Sequence, residues 1–470
     1  MTENRQPKKS RRRRGVLAGA AVFIVVAVAA TMAITWWIPN YRVDAARASW
    51  QPPPDALLSS SMRERPVPGW RTNPASLGLP LADDSRIAVS DDPFGPRPFV
   101  GSIGTRAYFL AHSESRNALQ WWVVGLDVSN GRALFDAVPF SADGRPPQCF
   151  LNGPADILCL DRSSTPSAWV IDGRSGAVRY SGPTDLRALD GGQSVQQVGI
   201  YAVAVNSDEG VFGIGSHAER TWFVPGNGRL NIEPQTRPGA SSQTLTAQLE
   251  ASPRTYASTV FSVVDGRVIE PEIDSDVALK DTSFYTGGFA AQVAEPDGTV
   301  SGIVFFDESG RRLGEHNGVH VVYADQPVDL PVVSAESDDQ RVVYSAQGKK
   351  LIEVSDGTIH LVETTLMVNL ADSAAFPEWQ QYNMRDGSPG PVCEFPMGHY
   401  LGHDGSALIF EFNHDNGDVL ASGRDLNTCE RLWSISKQPE ALDRIFRVDG
   451  TIIHLTNEGA ELTSLVAPGN

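Results

Sequence analysis

The stretch that decides the fold is Val124-Gly-Leu-Asp-Val-Ser-Asn-Gly131-Arg-Ala-Leu-Phe135, followed by Val170-Ile-Asp-Gly-Arg-Ser-Gly176-Ala-Val-Arg-Tyr180. Each copy is an apolar run, a polar turn opened by Asp and closed by Gly, and a second apolar run. That is the signature of two antiparallel strands joined by a tight turn. Weaker copies follow at Gly213 to Phe223, Ser262 to Ile269, Phe305 to Leu313, Ile352 to Leu361, Gly423 to Trp433 and Ile453 to Leu462. Measured at Asp127, Asp172, His217, Asp265, Asp307, Asp356, Asp425 and Asn457, the steps are 45, 45, 48, 42, 49, 69 and 32 residues.

A mean step of about 47 residues is close to the period of propeller blades. Four short strands with their turns fill one such period. A lone four-stranded blade cannot bury both faces, and a closed ring of blades does so while protecting the sheet edges. No helical period longer than about ten residues interrupts the pattern beyond residue 100. The expected fold is therefore all-β, a seven- or eight-bladed propeller over residues 101–470. The 69-residue step predicts an insertion near Ala371 to Gly402, a Pro- and Gly-rich stretch holding Trp379 and Cys393.

N-terminal to the repeats the chain has a different character. Residues 1–14 hold seven Lys or Arg and one acid, so a net charge of −17 for the whole leaves −23 for the rest, which speaks against a nucleic-acid-binding body. From Val16 to Ile38 run 23 residues without a charge. As a helix they would reach about 34 Å, enough to cross a hydrocarbon core of about 30 Å. We therefore expect a basic cytoplasmic tail over 1–14, a transmembrane helix over 15–38 and an extracytoplasmic body. Arg11, Arg12, Arg13 and Arg14 sit on the inner side by the positive-inside bias, and Trp36 and Trp37 at the outer headgroup layer. A signal peptide cleaved after Ala27-Val28-Ala29 is the competing reading, opposed by an apolar run longer than a secretory core. Gly15 and Gly19 could form a small-residue dimerisation face, though two small residues at a helix start are the simpler account.

Residues 39–100 hold 11 of the 32 prolines, including Pro52-Pro53-Pro54, and are read as a stiff stalk, with Trp70 packing on the body. All four cysteines, Cys149, Cys159, Cys393 and Cys429, lie on the expected outer side, where thiols oxidise. The flanks of Cys149 and Cys159 look like two antiparallel strands, which favours that pair and leaves Cys393 with Cys429.

The unit Leu126 to Phe135, with its echoes at Ile171 to Tyr180 and Asp425 to Trp433, resembles the repeat of pyrroloquinoline-quinone-like propellers. The shared feature is an aromatic four places after the turn Gly, or after Cys429, which replaces it. That family contains quinone dehydrogenases and non-catalytic envelope scaffolds. The dehydrogenases typically carry adjacent cysteines, and this chain has no Cys-Cys pair, so the resemblance implies the non-catalytic branch, with no cofactor.

The densest set of metal-ligating types is His399, His403, Asp404 and His414, on a stretch whose Pro396, Gly398, Gly402 and Gly405 mark it as a loop. It lacks the glutamate of a HExxH helix, and solvated histidines are the expected reading. The run Asn413 to Asp418 lacks the late glutamate of a calcium loop and reads as a hairpin turn. No nucleophile elbow, phosphate loop or dinucleotide fingerprint is present. The function expected is a membrane-tethered binding or assembly module whose partner is an envelope protein or polymer. The alternative is an envelope enzyme of propeller type, a glycan hydrolase or lyase or, further off, a quinoprotein dehydrogenase.

Overall fold

In the computed structural model the described residues are 42–52, 56–80, 85–89, 99–115, 118–140, 146–162, 166–190, 193–230, 243–249, 257–295, 297–317, 321–323, 332–334, 340–355, 357–370, 377–412, 418–437 and 443–469. The basic tail, the apolar run 16–38, Trp36, Trp37 and Arg11 to Arg14 lie outside them. Among the described residues no helix is long and apolar enough to cross a membrane.

The strands form nine antiparallel sheets. In chain order they are blade 1 (residues 86–140), blade 2 (148–183), blade 3 (189–225), blade 4 (245–262), blade 5 (278–317), blade 6 (321–355), blade 7 (359–394), blade 8 (400–436) and blade 9 (444–466), the last completed on its outer edge by Val67–Thr72. Blade 4 is the slightest, two paired strands extended by bridges from Gln248 to Leu230 and from Phe261 to Val268.

The core shows that these sheets close into a ring. Among the described residues nine apolar clusters are buried; eight are shared by two sheets consecutive in the chain, and the ninth joins the last sheet to the first. Leu151, Ile157 and Trp169 of blade 2 pack with Leu110, Val123 and Phe140 of blade 1. The circuit ends where Phe446, Ile453 and Leu462 of blade 9 pack with Phe109, Val124 and Leu126 of blade 1. Inner strands are thus buried on both faces, and Asp156–Leu160 reads as a continuous buried run while the outermost Val178–Pro183 is largely exposed.

Nine blades correct the expected seven or eight, and the reason lies in the turns between third and fourth strands. Eight of these hold a residue at positive φ, namely Gly131, Gly176, Ala218, Gly266, Gly310, Gly348, Gly387 and Cys429. The ninth blade has no such turn because its fourth strand comes from the N-terminal side of the ring. Ser345 and Asn383 open two of the turns in place of Asp, their side chains accepting the amides of Gln347 and Arg385. The stretch read as an insertion is therefore half of blade 7, with strands Glu378–Asn383 and Pro389–Glu394. Asp356 lies outside the described residues, between the strands Lys350–Ser355 and Ile359–Val362 of successive blades. Asn457 belongs to the short 3-10 turn linking the second and third strands of blade 9.

Where an aromatic stands four places after a turn, as Phe135 and Trp222 do, it fastens its blade to the next. Phe135 lies so close to Gly176 that a Cβ there would come within 2.6 Å of the ring, and Trp222 meets Gly266 in the same way. Trp70 completes the series across the closure. A Cβ at Gly131 would strike its indole at 2.6 Å, and its Nε1 donates to the Val128 carbonyl at 2.8 Å. Trp70 thus packs on the body as expected.

Candidate functional site

Connections between first and second strands, and between third and fourth, emerge on one side of the ring, which we call the turn face. The remaining connections emerge on the far face.

Residues 42–62 cross the turn face. A short helix over 42–49 places Ala46 and Trp50 in the cluster between blades 6 and 7. Arg47 donates from Nε to the Leu351 carbonyl at 2.6 Å and from Nη1 to the Asp386 carbonyl at 2.9 Å, and Arg385 returns a bond to the Trp50 carbonyl at 2.5 Å. Further on, the Leu58 amide donates to the His403 carbonyl at 2.7 Å, and the His403 amide to the Ala56 carbonyl at 2.9 Å. The Ser59 amide reaches the Gly450 carbonyl at 2.8 Å, the Met62 amide reaches Asp404 Oδ2 at 2.5 Å, and Trp433 Nε1 donates to the Met62 carbonyl at 2.7 Å. Arg63 pairs with Asp425 at 2.8 Å. This segment, expected as part of a free stalk, is a strap over blades 6 to 9.

The turns carry the charged groups. Asp307 is held down to about 2 by the Ser309 hydroxyl first, then by the Arg311 side chain and the Arg311 and Ser309 amides, against the opposing effect of burial. Burial is the largest single influence on Asp172 and raises it, yet the Ser175 amide and hydroxyl, the Arg174 amide and Arg179 together hold it below the ordinary carboxylate range. Asp404 follows the same logic with Met62, Ala407 and Ser406 as donors. These carboxylates are occupied in shaping turns.

The histidine stretch is built differently from the expected solvated loop. His403 ends a strand, Tyr400–His403, and is 2% exposed. Its Nδ1 lies 3.1 Å from the Gly405 amide and 4.0 Å from Glu363 Oε1. His399 stacks on Phe412 with ring centroids 5.5 Å apart. His414 lies outside the described residues, as do positions 413–417 of the calcium-like run. Among the described residues no three His, Cys, Asp or Glu side chains converge as a metal site would require.

Both expected disulfides are formed. Cys149 and Cys159 face each other on the first two strands of blade 2, Cα atoms 4.1 Å apart. Cys393 on the outer strand of blade 7 reaches Cys429 in the turn of blade 8, closing a separation of 36 residues. At this junction the position four past the turn Gly387 is Pro391, so the covalent link stands where an aromatic would fasten the blades.

Two grooves open between blades. One, of about 620 Å³, is lined by residues 133–139 and 175–178, where the outer strand of blade 1 is interrupted between Arg132–Ala133 and Val138–Phe140. The other, of about 270 Å³, is lined by Asn152, Asp156, Tyr201, Trp222 and Val264 among others. Each holds a single carboxylate, Asp136 or Asp156, and Asp156 is paired with Arg179 at 3.0 Å. Neither brings together the two carboxylates that glycoside hydrolysis ordinarily uses. Sequence reasoning missed the strap and the turn openers Ser345 and Asn383. Gly348 and Gly387, 38 and 39 residues after the turn glycine before each, were the signal that could have found the openers.

Ring, fastened junctions and N-terminal closure define the protein as a nine-bladed β-propeller. A family model described as a conjugation-associated nine-bladed β-propeller domain matches residues 42–468, and the chain belongs to that family. The match begins at the residue where the described strap begins. An uncharacterized protein of Mycolicibacterium smegmatis (strain MKD8) is 35% identical over 477 aligned residues, covering 98% of this chain and 97% of the relative. Among solved structures, BamB from Moraxella catarrhalis is 10% identical, with 86% of this chain and 100% of that chain covered and a TM-score of 0.32. The Dos1 propeller is 9% identical, with 87% and 97% covered and the same TM-score. Likeness that slight carries no functional argument.

Proposed function

We propose that this protein is a membrane-tethered, extracytoplasmic propeller that acts without catalysis as a binding or assembly module of the cell envelope, in the service of conjugation. The observation that carries the reading is the Cys393–Cys429 disulfide, which joins two blades and replaces the turn glycine with a cysteine at a φ of 66°. A cysteine in that strained position is intelligible where it can oxidise, which is outside the cytoplasm. The basic tail and the uncharged run Val16 to Ile38 supply a tether of the matching orientation. The likeness of the repeat to the quinoprotein-like scaffolds supports the non-catalytic role, and the family's association with conjugation supplies the setting.

The test is made in donor cells. Deleting the gene should lower conjugative transfer, and the intact chain should restore it. A chain lacking residues 1–38 but exported by a cleavable signal should be released from the membrane and fail to restore it. Protease added to spheroplasts should digest the body while sparing the tail. Unchanged transfer on deletion, or a body protected from external protease in intact spheroplasts, would overturn the proposal.

A further inference from the structure

We infer that the turn face of the ring is a lipid-contact surface, lying against an anionic bilayer and turning the far face outward. The inference rests on the tether reading above and adds an orientation and a ligand class to it. Three observations meet on this face.

The first is where the chain arrives. The strap bonds along the turn-face ends of blades 6 to 9, to the Asp386 and Gly450 carbonyls and the Asp404 and Asp425 carboxylates of the connections, and to Leu351, His403 and Trp433 of the strands beside them. It starts at Arg42, four positions after Ile38, the last residue of the uncharged run. Four residues span at most about 14 Å. A span ending at Ile38 would leave no room for a stalk and would hold this face at the headgroups.

The second is apolar exposure. The described residues include eight large exposed hydrophobic side chains, and five belong to this side. Leu57 lies on the strap and Val67 at the near end of its strand, 48% and 39% exposed. Val264 lies within the blade 4 turn, and Val178 and Val268 two residues past a turn glycine, at 50%, 48% and 45%. Scattered singly they would mean little. Gathered on one side of a ring, beside exposed Arg132, Arg174, Arg267, Lys349 and Arg385, they match the interfacial pattern of shallow apolar insertion flanked by cations.

The third is charge. Counted over the described connections alone, the far face sums to −9, whereas the turn face together with the described residues of 42–66 sums to −1. The turn-face carboxylates are drawn onto backbone amides, as at Asp172 and Asp307, while Arg132, Arg174 and Arg267 stand exposed. An anionic leaflet repels the far face and tolerates the turn face, so the field orients the ring in the same sense as the tether.

The experiment uses the full chain reconstituted in vesicles of phosphatidylglycerol and phosphatidylethanolamine, with one fluorophore carried on a non-natural residue at Gln347 on the turn face or at Asp297 on the far face. Both positions are exposed and lie in adjacent blades. A headgroup-borne quencher should reduce emission at 347 at least about threefold more than at 297, given the short reach of interfacial contact. The pair Val264→Asp and Val268→Asp, both at exposed positions, should narrow that difference. Equal quenching in a chain that floats with the vesicles would overturn the lipid-contact face while leaving the tether standing. A chain that does not float would overturn both. Quenching unchanged by the double variant would overturn the role given to the apolar turn tips.

Discussion

Single residues at the blade turns set the tolerance of this ring to acid. The Asp307 carboxyl, at about 2 in the folded chain against 3.8 for an ordinary Asp side chain, favours folding in its charged form. That contribution is complete above pH about 5 and is lost as pH falls through the folded value. Asp172 adds to it in the same sense. Stability should be flat with pH near neutrality and fall below about pH 4, and Asp307→Asn with Asp172→Asn should flatten the fall by preserving turn shape without the charge. Unfolding midpoints measured across pH 2 to 7 check this; an unchanged acid limb in the double variant would contradict it. Cysteine residues give a second expectation. On the chain-entropy account, removing Cys393–Cys429 by paired alanines loses roughly 3 to 4 kcal/mol and removing Cys149–Cys159 somewhat under 3. Denaturant midpoints should follow that order.

Among the elements, the strap is the one whose sequence misled. Pro52-Pro53-Pro54 and the prolines at 66 and 68 describe extended chain, and extended chain is equally suited to a free stalk and to a segment laid across a surface. Its partners, Leu351, Asp404, Gly450 and Trp433, lie about 300 to 400 residues away in sequence, where no local pattern can reveal them. The turn repeat was legible because Asp, Gly and the following aromatic are local requirements of one hairpin. It failed where Ser345 and Asn383 do the work of Asp, and there half of blade 7 was mistaken for an insertion. Both disulfides were legible, one from facing strands and the other by elimination. Trp433→Phe should lose the bond to the Met62 carbonyl and destabilise the strap by about 1 kcal/mol. Trp50→Ala, at a buried position, should cost about 3 kcal/mol or more. Amide exchange over residues 42–62 is the measurement, and faster exchange confined to the strap is the expected result.

At the scale of the whole molecule, nine blades make a ring whose final sheet borrows its outer strand from residues 67–72, so chain entry and ring closure are one structure. Strap and closing strand together tie the N-terminal end to blades 6 through 9 and, through Trp70, to blade 1. Force applied at residue 42 would therefore reach the ring first through blades 6 and 7. The orientation proposed above would leave the far face, the more acidic of the two, open to a partner. The most direct measurement is photocrosslinking in intact donor cells, with a photoreactive residue placed at Asp297 or at Glu458 on the far face and at Gln347 on the turn face. The account predicts a discrete protein adduct from the far-face positions, its partner an envelope component needed for transfer, and none at position 347. No adduct from either far-face position, in cells where the chain is made and supports conjugation, would contradict it.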